Sequence, residues 1–267
     1  MQINTKVFVV TGGGSGIGRQ VVLGLVKRGA RVAAVDLNEA GLAETARLAG
    51  AGERLTTHVV DVTDRGQVAA LADEVLAAHG AIDGLLNVAG IIQPFVRVND
   101  LDFSQMEKVM AVNFWGVINT TKTFLPLLLE RPAASIVNVA SMGAVAPVPG
   151  QTIYGASKAA VKMLTEGLYA ELMDTNVAAT VVIMGGSATD ISKNSGVEIK
   201  RSESSKPGTG MKLTSPEDAA AQIIGAMEKG AYRVVVGKDA RSLDMLSRVS
   251  PRKATETIAG KMKSLLS

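Results

Sequence analysis

Seven short apolar runs, spaced by segments of helix length, constrain this chain more than any other feature. They read "KVFVVTG", "RVAAVD", "LTTHVVDV", "IDGLLNVAG", "ASIVNVAS", "ATVVIM" and "YRVVVG". Most are rich in Val, Ile and Ala and do not alternate strictly between apolar and polar. That is the pattern of parallel strands covered on both faces. Parallel strands need long crossovers, and the intervening segments have helical periodicity, as where Ile17, Val21 and Leu25 fall on one face. The pattern predicts an α/β fold: one doubly wound parallel sheet of about seven strands with helices on both faces.

The 267 residues show no repeat or linker that would divide them, so a single domain over 1–267 is expected. Hydrophobic residues make up 47% but aromatics only 3%, so the core is aliphatic. No run is long enough for a membrane span, and "MQINTKVFVV" lacks the features of a secretory signal. The absence of cysteine excludes disulfides and thiolate chemistry and is compatible with a cytoplasmic protein. No His, Asp or Glu cluster has metal-ligand spacing, so no metal is expected. His58 and His79 lie outside any motif and read as structural. The charge balance is acidic over 1–191 and basic over 192–267. With no nucleic-acid motif, the basic part reads as a solvated face or a site for an anionic partner.

Two segments break the rhythm. Residues 190–212 are polar and long, as expected of a lid over a substrate. Residues 240–266 carry two amphipathic patterns, Leu243, Leu246 and Val249, then Ala254, Ile258, Met262 and Leu265. Their apolar sides must be buried, and protein is a better fit than lipid because the stripe is thin and lacks Trp or Phe.

"TGGGSGIG", Thr11 to Gly18, stands between the first strand and the first helix. Glycines let the backbone approach a pyrophosphate, and a helix N-terminus offers it free N–H groups. The spacing, through Gly12, Gly16 and Gly18, is G-x-x-x-G-x-G. Asp36 closes the second strand, where a carboxylate can accept from both ribose hydroxyls and repel a 2′-phosphate. Ser15 before Gly16 and Leu37 after Asp36 leave no cation to receive that phosphate, which points to NAD rather than NADP.

Together with "DV" at Asp61–Val62, "NVAG" at Asn87–Gly90, "VN" at Val112–Asn113, Ser141 and "YGASK" at Tyr154–Lys158, these motifs resemble the classical short-chain dehydrogenase/reductase family over roughly residues 4–237. The resemblance implies a Rossmann-type fold, a nicotinamide cofactor and hydride exchange with a small alcohol or carbonyl substrate. It implies cofactor contacts at Gly12, Ser15, Gly16, Ile17, Gly18, Asp36, Leu37, Asp61, Val62, Asn87, Ala89, Gly90, Tyr154, Lys158, Gly185, Ser187 and Thr189. It implies a catalytic set of Asn113, Ser141, Tyr154 and Lys158, with Asn113 holding a water that links the lysine to solvent. A homo-oligomer, dimer or tetramer, is expected.

A phenol titrates near about 10, and bringing it to about 8 takes roughly 2.7 kcal/mol. Lys158, one helical turn from Tyr154, and the cationic ring of an oxidised nicotinamide in the alcohol-oxidising direction are together expected to lower it by their charge. Ser141 would hold the substrate oxygen. Two departures stand out. Met184 occupies the position where the family commonly has proline, with Gly185 kept and Ser187 in place of an aliphatic residue, and the C-terminal tail replaces the family's glycine-rich turn. An apolar substrate pocket is expected from Ile91, Ile92, Gln93, Phe95, Met142, Val145, Val148, Gln151 and Met184. The leading reading is an NAD(H)-dependent secondary alcohol dehydrogenase or carbonyl reductase. A 3-oxoacyl-thioester reductase and a non-catalytic NAD(H) sensor are the alternatives. Asp36 weighs against the first, since reductive biosynthesis usually draws on NADPH, and the complete Asn–Ser–Tyr–Lys set against the second.

Overall fold

All seven apolar runs form strands of one parallel sheet in the order β3-β2-β1-β4-β5-β6-β7. The structure is a computed structural model and describes residues 1–189, 191–197 and 213–262. The strands are β1 (Val7–Thr11), β2 (Arg31–Asp36), β3 (Leu55–Val59), β4 (Gly84–Asn87), β5 (Ala134–Ser141), β6 (Val177–Met184) and β7 (Arg233–Val236). The helices are α1 (Gly16–Lys27), α2 (Glu39–Ala49), α3 (Arg65–His79), α4 (Phe103–Met110), α5 (Gly116–Leu129), α6 (Thr152–Glu171), α7 (Ile191–Asn194), α8 (Pro216–Glu228), α9 (Lys238–Val249) and α10 (Pro251–Met262).

The two faces of the sheet explain why the strands lack alternation. Phe8 and Val10 of β1 pack with Val21 and Leu25 of α1 and Ile223 and Ile224 of α8. Val7 and Val9 point the other way, to Leu71 and Val75 of α3, Phe124 and Leu128 of α5 and Leu168 of α6. Both faces are buried, so both sets of side chains must be apolar.

Helix starts follow local chemistry. Asp64 accepts from the amides of Gly66 and Gln67 at the start of α3, Asn38 accepts from Gly41 in α2, and Ser215 caps α8 ahead of Pro216. Between α4 and α5 the chain makes a π-helical turn, Ala111–Trp115, which carries Asn113. Such turns insert one extra residue and re-aim the side chains around them.

The tail forms α9 and α10. Their apolar sides, Leu243, Ala254 and Ile258, pack on Met142 and Ala146 of the chain's own body, beside the end of β5. Of the expected lid, residues 191–197 are described, whereas Asp190 and residues 198–212 lie outside the described residues, as do 263–267 of the tail. No helix among the described residues is long and apolar enough to cross a membrane.

Candidate active site

Strand order reverses beside β1, which pairs with β2 on one side and β4 on the other. A crevice opens at the carboxyl ends of strands at such a switch point. Here it is a cavity of about 340 Å³ lined by Gly12, Ser15, Gly16, Ile17, Gly18, Asp36, Leu37, Asp61, Val62, Ala89, Gly90, Tyr154, Lys158 and Thr189. These residues come from the glycine turn, the ends of β2 and β4, the loop after β3, helix α6 and the segment after β6.

The glycine turn is built for close approach. Gly12 has φ +73°, and a Cβ there would come within 2.9 Å of the Ala89 amide nitrogen. A Cβ on Gly18 would collide with the Gly12 carbonyl, so helix α1 can pack onto the turn only with glycine at that position. Thr11 Oγ1 accepts from the amides of Val88 (3.1 Å) and Ala89 (3.2 Å), fastening the "NVAG" loop to the end of β1. The Asp36 carboxylate accepts from Gly14 N at 2.9 Å and from Asn38 N at 3.0 Å, one bond to each oxygen. Each oxygen keeps acceptor capacity for a further hydrogen bond. Arg19, which drew no attention in the sequence, lies beside the turn. Its guanidinium is committed to the carbonyls of Gly14 and Gly41 and to Thr45 Oγ1.

Helix α6 brings Tyr154 and Lys158 to the same cavity. Lys158 is only 4% exposed, and its ammonium donates to the Val139 carbonyl at 2.9 Å. Burial with no carboxylate partner lowers its pKa from 10.5 to about 8. Tyr154 behaves opposite to expectation. Burial raises its pKa, and this outweighs a hydrogen bond with Ser141 that acts the other way. The expected lowering comes from the lysine and an oxidised nicotinamide together, whereas here the lysine's contact is with Val139 and the phenol loses solvent. Ser141 ends β5, and its Oγ also accepts from Gly143 N at 3.1 Å.

Other expected residues are placed differently. Asn113 is fully buried; its amide donates to the Ile91 carbonyl (2.9 Å) and to Ser157 Oγ (3.0 Å), and its oxygen accepts from Ile91 N (2.9 Å). That side chain ties the π-helical turn to the loop after β4. Asn87 lies below the cavity, donating to Asn138 at 2.9 Å and accepting from Thr120 at 2.8 Å. Gly185 rests against Asp239, and Ser187 Oγ donates to the Thr214 carbonyl. Neither is among the described residues lining the cavity.

The expected substrate pocket divides. Ile91 and Met184 line the first cavity, and Met142 lines a second of about 790 Å³ among α8, α9 and α10. Gln93 and Gln151 are not pocket residues; they are buried and bonded to each other through Gln151 Nε2 and the Gln93 carbonyl at 2.6 Å. The Gln93 side-chain oxygen accepts from Ile153 N and Tyr154 N, both at 2.9 Å. Helix α6 has no cap from Gln151, its own N-cap residue. Gln93 satisfies two of its orphan amides from 60 and 61 residues away in sequence. Sequence reading missed this because capping is normally sought next to the helix. Helix α7 reaches back over the cavity: Asn194 donates to Ser15 Oγ at 2.9 Å, and Ser195 Oγ accepts from Ile92 N at 3.0 Å. Among the described residues no group of His, Asp and Glu could hold a metal.

Comparison with known proteins bears on this arrangement. A family model described as short chain dehydrogenase matches residues 6–199. SadH of Mycobacterium tuberculosis, named as an oxidoreductase, is 39% identical over 250 residues, covering 91% of this chain and 90% of its own. A short-chain dehydrogenase/reductase from Burkholderia phymatum, solved with NAD, superposes with TM-score 0.85 at 27% identity and covers 96% of this chain and 97% of its own. A short-chain dehydrogenase from Burkholderia cenocepacia, solved with NADP, gives TM-score 0.80 at 27% identity over 98% of this chain and 99% of its own.

Proposed function

Because this chain belongs to the short-chain dehydrogenase/reductase family, we propose that it transfers a hydride between NAD(H) and a secondary alcohol or ketone, with Tyr154 as general acid and base. The observation that carries this reading is one cavity lined by the glycine turn, the Asp36 carboxylate, the Tyr154 phenol and the Lys158 ammonium. The glycine turn fits a pyrophosphate, because side chains at Gly12 and Gly18 would fill the space against Ala89 and the turn's own carbonyl. A nicotinamide bound there supplies or takes the hydride.

The preference for NAD rests on charge. The free lone pairs of Asp36 suit two ribose hydroxyls, and its charge repels a 2′-phosphate. Among the described residues that line the cavity the only cation is Lys158, and Arg19 already serves three acceptors. In reduction, the Tyr154 hydroxyl gives its proton to the carbonyl oxygen as the hydride reaches the carbon. In oxidation, the phenolate takes the alcohol proton. A phenol held above its ordinary pKa keeps that proton near neutrality, which suits the reductive direction. Ser141 would donate to the same substrate oxygen, and Lys158 would stabilise negative charge on the phenol.

Tyr154→Phe tests the assignment. Turnover should disappear while NADH affinity stays near that of the unmutated protein, since the hydroxyl moves a proton and does not hold the dinucleotide. Secondary alcohols, ketones and 3-hydroxyacyl thioesters are assayed with NAD(H) and NADP(H) by cofactor absorbance. Retained turnover in Tyr154→Phe, or higher kcat/KM with NADP than with NAD, would overturn the respective part of the reading.

A further inference from the structure

Met184, which stands where the family resembled commonly has proline, ends β6, and the C-terminal helices are the other departure. The structure joins them through one side chain. Asp239 stands in the first turn of α9, and its Oδ2 accepts from the Gly186 amide at 2.7 Å. The carboxylate sits among glycines. A Cβ on Gly185 would collide with Oδ1, and one on Gly237 would lie 2.5 Å from it. Gly237 has φ +97°, a conformation that glycine adopts without strain, and it starts α9. Oδ1 is itself buried and has no hydrogen-bond partner among the described residues. The residue as a whole is partly exposed, lining the second cavity, so the carboxylate spans a buried oxygen and a solvent-facing side.

From Gly186 the contact continues to the cavity. The Gly186 carbonyl accepts from Thr214 N at 2.9 Å, and Ala188 N donates to the Thr214 carbonyl at 3.2 Å. These bonds hold the segment that ends in Thr189, which lines the cavity. The Thr189 methyl carbon stands 3.4 Å from where a Gly16 Cβ would be, so the segment abuts the glycine turn.

We propose that Asp239 is a positioning residue: from the C-terminal extension it fixes the loop after β6 and so sets Thr189 at the nicotinamide end of the cofactor site. A carboxylate bond restrains the loop by pinning an amide, and glycine at 185 and 237 lets the carboxylate approach. The proposal rests on the dinucleotide reading above for its ligand, but its structural half does not.

The test compares Asp239→Ala and Asp239→Asn with the unmutated protein in three measurements: NADH affinity, ADP-ribose affinity, and amide exchange of the 185–189 segment. Loss of a charge-assisted bond predicts that Asp239→Ala weakens NADH about tenfold. ADP-ribose, which lacks the nicotinamide, should bind unchanged, and the segment should exchange faster. Asp239→Asn keeps an acceptor for Gly186 and should recover part of both losses. Equal losses for NADH and ADP-ribose, unchanged NADH affinity, or an asparagine variant no better than alanine would overturn the proposal. If Asp239→Ala does not fold, Asp239→Asn carries the test by the same split between the two ligands. If the unmutated protein binds no nicotinamide dinucleotide, the dinucleotide reading falls, and amide exchange alone decides whether Asp239 pins the loop.

Discussion

Lys158 should make the protein less stable near neutral pH than it would be without that charge. Its ammonium is buried, with its pKa lowered from 10.5 to about 8. An unfolded chain therefore binds this proton more tightly than the folded one. Below about pH 8 both states carry the charge, and the folded state bears the cost of burying it. Between about 8 and 10.5 the folded lysine is neutral while the unfolded one is still charged, so stability rises with pH through that window. A gap of this size corresponds to about 3 kcal/mol. Lys158→Met removes the charge and keeps an unbranched side chain of similar length. The variant should be more stable than the unmutated protein at pH 7 by up to about 3 kcal/mol, less the hydrogen bond to the Val139 carbonyl, which contributes about 1 kcal/mol. That advantage should shrink steadily from pH 8 to pH 10. The comparison uses urea unfolding of both proteins without cofactor at half-unit pH steps. Taking the difference cancels titrations common to both. A stability difference that does not change between pH 7 and pH 10 would refute the reasoning, because it would mean that the amine binds its proton equally tightly in the folded and the unfolded chain. Activity should be lost in the variant, so the lysine is a site where function opposes stability.

Gln93→Leu should destabilise the protein by about 2 kcal/mol, because two buried amides at the start of α6 lose their acceptor. Its kcat should fall more than its NADH affinity, since Tyr154 is one of the two residues left unheld, and equal melting temperatures for variant and parent would refute the capping role. Ile258→Ala, at a position only 2% exposed in the cluster that includes Met142, should cost about 2 kcal/mol in thermal unfolding. Substrate KM should rise while cofactor affinity holds, because Met142 adjoins Ser141 and lies away from the glycine turn. No change in either melting or KM would show that the tail is not coupled to the site.

The number and type of the strands, the glycine turn, the carboxylate ending β2 and the tyrosine–lysine pair on one helix were legible in the sequence. Each is a local pattern, set by the pleat of a strand, the pitch of a helix or the steric freedom of glycine over a few neighbouring residues. Burial and partner choice were not legible, because each depends on residues far apart in the chain. Helix α6 takes its cap from Gln93, the amide of Asn113 is occupied by Ile91 and Ser157, and Gly186 is pinned by Asp239, 53 positions on. The direction of the Tyr154 pKa belongs to the same class. The spacing to Lys158 puts the two groups on one helix face, but the desolvation that raises the phenol's pKa, outweighing the Ser141 hydrogen bond, comes from the elements folded around it, and only the tertiary structure brings those together.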